Sequence, residues 1–94
     1  MHALVTHVTI HDADRTRDVL HNQVVPGISG APGFKSGCWT WSTGGGELNG
    51  LAMMIFDSEE NARAAGERVS AVAADAPDDV TLDSVEVREV VATA

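Results

Sequence analysis

The run Pro32-Gly33-Phe34-Lys35-Ser36-Gly37-Cys38-Trp39-Thr40-Trp41 constrains the fold of this chain more than any other segment. Proline and glycine together break a helix. The residues that follow alternate so that Trp39 and Trp41 fall on one face of a strand. A helix must therefore end, and a strand begin, close to residue 32.

The remaining elements are placed around that junction. Residues 3–11 are rich in β-branched types and read as a strand. Asp12 and Asp14 then supply helix N-cap chemistry, and Ala13, Leu20, Val24 and Ile28 fall near one side of the helix that follows. Pro26 ends or kinks that helix, with room for one more turn before Gly30. The second strand runs from Phe34 to Ser42. A turn at Gly44, Gly45 and Gly46 leads into a third strand from Gly50 to Phe56, making a hairpin. Asp57-Ser58-Glu59-Glu60 resembles a capping box, with acids in the first turn where the helix dipole favours them. Ala62, Ala65, Gly66, Val69, Val72 and Ala73 form a small-residue stripe suited to close packing on a sheet. Ala76-Pro77 stops the helix, and a last strand covers Thr81 to Val91.

The order is β-α-β-β-α-β in a single domain, residues 1–94. Right-handed crossovers in that order give an α+β ferredoxin-like plait: a four-stranded antiparallel sheet with both helices on one face. In the third strand Ala52, Met54 and Phe56 point one way and Leu51, Met53 and Ile55 the other. Apolar residues on both faces imply a sheet covered on both sides, yet the helices cover one. A second copy of the chain is the expected second cover.

Composition supports assembly. A chain of 94 residues buries only roughly 60–65% of its unfolded surface. Cys38 stands alone, so no internal disulfide adds to stability, and oligomerisation is the remaining route to a larger core. The net charge of −8, without clustered Lys or Arg, disfavours nucleic acid and anionic membrane surfaces as partners. The first residues lack the basic start and apolar core of a signal peptide, and no segment is apolar for long enough to span a bilayer. The expected location is cytoplasmic.

The element order, the Pro32-Gly33-Phe34 junction and the Phe56-Asp57-Ser58-Glu59-Glu60-Asn61-Ala62 entry into the second helix resemble the dimeric α/β-barrel superfamily, nearest to its antibiotic-biosynthesis-monooxygenase-like members. The resemblance covers nearly the whole chain, and its motifs are structural. It implies a homodimer with two sheets face to face and a cavity that holds a small planar apolar molecule. It also implies a cofactor-free monooxygenase acting on a phenolic or quinone-like substrate. Its other branches imply a non-enzymatic ligand-binding or stress-response dimer, or an enzyme of the muconolactone-isomerase type. The chain has no Tyr, which removes mechanisms that need a phenol donor. Haem-degrading relatives bind iron through a histidine of the second helix, and residues 58–76 contain none, so no cofactor is expected.

Candidate site residues follow from the strand faces. His7 and His11 share a face of the first strand with Val5 and Thr9, whereas Leu4, Thr6, Val8 and Ile10 are better suited to meet the helices. His7 then lies within the barrel. It is either a general base or substrate-orienting group, or a hydrogen-bonded histidine at the dimer interface. Strand spacing puts His7 and His11 roughly 13 Å apart, too far to share a metal ion, and no metal is expected. Trp39 and Trp41 are either an aromatic wall for a planar ligand or core and interface filler. Met53 or Met54 on the paired strand can adapt the cavity's shape, and Asn49 is a further polar group. Cys38 has no activating neighbour in sequence and is expected to be buried. Arg88, alternating with Glu86 and Glu89, reads as edge-strand charge that blocks wrong pairing.

Overall fold

The computed structural model describes residues 1–42 and 47–94; the expected turn at residues 44–46 lies outside them. Strands β1 (His2–Ile10), β2 (Phe34–Ser42), β3 (Leu48–Phe56) and β4 (Val80–Glu89) form one antiparallel sheet in the order β2-β3-β1-β4. The architecture is the ferredoxin-like plait. β1 starts and stops one residue before the expected limits, β3 begins two residues earlier, at Leu48, and β4 ends two residues sooner, at Glu89. Two irregularities interrupt the ladders. Asp83 is the extra residue opposite His7 and Val8, and Lys35 is the extra residue between the pairs made by Phe34 and Ser36. The Asp83 carboxylate accepts a 2.7 Å hydrogen bond from the Thr9 hydroxyl, which ties the bulge to β1.

The first crossover is one helical run with a widened middle. Helix α1 (Ala13–Val19) begins at Asp12, whose carboxylate accepts from the Arg15 backbone N–H at 3.1 Å. It continues into a π-helical turn, Leu20–Val24, and then into α2 (Val25–Ser29). The cause is Pro26. A proline inside a helix cannot donate to the carbonyl four residues back, and its ring crowds that carbonyl. The turn before it opens by one residue, and the Val25 N–H donates to the Leu20 carbonyl instead.

Helix α3 (Glu59–Ala74) starts at Ser58, whose hydroxyl accepts from the Asn61 N–H at 3.2 Å. Asn61 stands where a capping box has Glu or Gln. Its side chain donates to the Asp57 carboxylate at 2.8 Å. Gly33 sits against this pair with φ of +76°. A Cβ there would meet the Asp57 carboxylate and the Asn61 amide, and the left-handed backbone disfavours any side chain. The Pro32-Gly33-Phe34 junction thus packs directly on the α3 entry.

Leu4, Ile28, Ala31, Ala52, Met54, Phe56, Ala62 and Ala65 form the buried core, with Phe34, Trp39, Val69 and Val87 against it. The rings of Phe34 and Phe56 meet edge to face at 5.7 Å. On the other sheet face Ala3 and Val5 are buried between neighbouring strands, while Leu51 and Met53 are 44% and 45% exposed. Cys38 is exposed, not buried as expected. It pairs with Met53 on the edge strand β2, on the face away from the helices, where nothing in the chain covers it. Arg88 pairs with Glu86 at 2.6 Å on the other edge strand. No helix among the described residues is long and apolar enough to cross a membrane.

Candidate functional site

The helices do not cover the sheet evenly. Helix α3 packs on β4, β1 and β3, and α2 packs on β2, but α1 and the π turn make few contacts with any strand. A cavity of about 770 Å³ lies in the space they leave, within the range of small-molecule sites. Its floor is the helix-facing side of the sheet: Thr6, Val8 and Ile10 of β1, Gly50, Ala52 and Met54 of β3, Trp39 and Trp41 of β2, and Val80 and Leu82 of β4. Its roof and opening come from Thr16 and Arg17 of α1, Leu20, His21, Gln23 and Val24 of the π turn, and Arg68, Val69, Val72 and Ala73 of α3.

Local sequence explains this shape. Trp39 lies over Gly37, whose missing side chain leaves room for the indole. Gly50 pairs with both Val8 and Trp41, and a Cβ there would come within 2.5 Å of the Val8 side chain. The small residue between two large neighbours keeps the floor low. Arg17 extends over Trp41, its guanidinium carbon 5.0 Å from the ring centroid, in cation–π geometry. Thr16 is buried and donates to the Asp79 backbone carbonyl at 3.4 Å, while the Asp79 carboxylate faces Arg15 at 3.5 Å.

The expected site residues divide between the two faces of the sheet. Trp39, Trp41 and Met54 line the cavity, with Met54 fully buried. His7, Asn49 and Met53 do not line it; they lie on the opposite face and are exposed. Thus Met54, not Met53, shares the tryptophans' face of the sheet, and His7 lies on the other face. His7 pairs in register with Leu51 and Ser84, and Asn49 with Thr9 and Ser42. His11 is hydrogen-bonded to the Thr81 hydroxyl through Nε2 at 2.7 Å. Among the described residues, no group of three His, Cys, Asp or Glu side chains is placed to hold a metal ion.

Among the polar groups of the cavity that sequence reasoning missed, Arg17, His21, Gln23 and Arg68 sit on helices, Thr6 on β1 and Asp79 just before β4. Pro26 is the signal that could have found two of them, His21 and Gln23, which lie in the turn before it. A proline at that point in a helical run forces a widened turn, and such turns often occur at functional sites.

No protein-family model matches the chain, and no curated protein matches it in sequence. The chain is similar in structure to a solved protein titled crystal structure of HapK from Hahella chejuensis. The TM-score is 0.74 at 8% identity, over 100% of this chain and 96% of that one. A likeness at so low an identity carries the fold alone: the chain is a ferredoxin-like α+β domain.

Proposed function

We propose that this protein binds a small, mostly apolar planar molecule in the cavity between the sheet and the first helical run, and works as a homodimer. One observation carries the binding reading. A cavity of about 770 Å³ is walled by both tryptophans over buried Met54, with the Arg17 guanidinium carbon 5.0 Å from the Trp41 ring centroid. Flat aromatic faces accept planar ligands with little regard to their substituents, and methionine adapts to the remaining shape.

The dimer reading rests on the other face, where Leu51 and Met53 are each more than two-fifths exposed beside Ile55 and Val5. Packing two such sheets face to face removes this apolar surface from water. Light scattering at micromolar concentration should give about twice the 9.9 kDa chain mass, and Met53→Glu should shift it toward one chain. A monodisperse monomer of the unaltered protein would remove the dimer from the proposal.

In that assembly His7 falls in the seam between sheets, across the sheet from the cavity, which favours ligand binding without catalysis. The resemblance to cofactor-free monooxygenases supplies the rival reading, oxidation of a phenolic or quinone-like substrate by oxygen. A hydroxyanthraquinone should quench tryptophan emission along a saturable curve, and Trp41→Ala should weaken its binding by roughly threefold to tenfold. Absence of saturable quenching by planar ligands would overturn the binding reading. Oxygen uptake above background with an anthrone would replace binding alone by the monooxygenase.

A further inference from the structure

The arginines of this acidic chain fall into two groups. Arg15, Arg63 and Arg88 each face a carboxylate: Asp79 at 3.5 Å, Glu59 at 2.6 Å and Glu86 at 2.6 Å. Arg17 and Arg68 form no such pair among the described residues, and both line the cavity, one from each helical segment beside its opening. In a chain of net charge −8, nearby acids are abundant, and an unpaired arginine at an apolar cavity is not explained by surface composition. The acid that does line the cavity, Asp79, already has Arg15 beside it. Among the residues that line the cavity the arginines therefore outnumber the acids.

Resting on the ligand-binding reading of this same cavity, we propose that it selects a planar apolar molecule bearing one carboxylate, held at the opening by Arg17 and Arg68 while the ring system lies against Trp39 and Trp41. The chemistry suits each part. A guanidinium presents a planar fork of donors that matches a carboxylate. The cation–π contact with Trp41 holds the Arg17 head group near the ring before the ligand arrives, so less side-chain freedom is lost on binding. The floor groups Val8, Ile10 and Leu82 offer no partner for a second charge, and a dianion would bury one uncompensated. Thr6, a residue 4% exposed, contributes a hydroxyl to the floor that suits a neutral oxygen at the far edge of the ring system.

The experiment compares 2-naphthoate with its uncharged analogue 2-naphthamide by isothermal titration calorimetry on the unaltered protein. The carboxylate should bind at least about tenfold more tightly, and the difference should shrink as salt is raised. Arg17→Gln and Arg68→Gln should each weaken 2-naphthoate by roughly threefold to tenfold and leave 2-naphthamide unchanged. Arg63→Gln, which alters an arginine outside this cavity, should change neither. Equal affinity for the two compounds would overturn the carboxylate assignment and leave the binding reading standing. If neither compound binds, both fall. Loss of affinity for both compounds in the arginine variants would assign these side chains to general packing of the cavity rather than to charge recognition.

Discussion

The space between sheet and helices is filled at one end and hollow at the other, although the same strands and the same helix α3 bound both. At the filled end Leu4 and Phe56 are fully buried under Ala62 and Ala65. At the hollow end Val8, Ile10 and Leu82 face the π turn and the second half of α3 across the cavity. Strand composition does not make this difference, since both ends carry apolar residues. The helices do. The first half of α3 presents Ala and Gly and lets the helix settle on the sheet, with Gly66 close to Leu4 and Val85. The first crossover is held down at its end by buried Ile28 and Ala31, while α1 and the wide turn before Pro26 make few contacts with the strands. Packing at one end holds the fold, which leaves the other free to remain open.

The substitution with the largest expected effect tests the filled end. Ala65 is 2% exposed and belongs to the core. Ala65→Leu forces a larger side chain into occupied volume and should cost about 1–3 kcal/mol. For a domain of this size each kcal/mol lowers the melting temperature by roughly 4–8 °C, so thermal unfolding followed by circular dichroism will resolve it. An unchanged melting temperature would mean that this end is not close-packed, and the contrast between the ends would lose its basis.

The fold was legible because its signals are local and periodic. Alternation marked the strands, Asp12 and Ser58 marked helix starts, and the small-residue stripe marked the buried side of α3. Together these yield the β-α-β-β-α-β element order without any knowledge of the site. The two-sided apolar pattern of β3 was also readable as a sheet with a second apolar face. The site was legible only in part. Alternation puts Trp39 and Trp41 together, but it does not link their face to the face of β1 that meets the helices, so Met53 and Met54 are interchangeable and His7 stays a candidate. The cavity depends on how far a helix stands from a sheet, a tertiary quantity with no periodic signature. Cys38 was misjudged for a related reason. Its burial depends on whether its strand is an edge and which face it occupies, and a free cysteine's usual preference for the interior says nothing about either.

Ala73→Leu makes the Ala65→Leu change eight residues further along the same helix, at the hollow end. Ala73 lines the cavity, so the added carbons enter open space and displace solvent rather than neighbouring side chains. Leucine and alanine are both strong helix formers, so the helix itself is little affected. Stability should stay within about 0.5 kcal/mol of the unaltered protein, the range typical of changes that disturb no packing. Binding should respond instead, because the leucine occupies volume a planar ligand needs. Affinity for the hydroxyanthraquinone should fall on the order of tenfold, about 1.4 kcal/mol, read from the quenching titration alongside the melting curve. A melting temperature lowered as far as in Ala65→Leu would mean that the second half of α3 is packed like the first. Unchanged stability with unchanged affinity would locate the ligand away from α3, against the tryptophan wall alone.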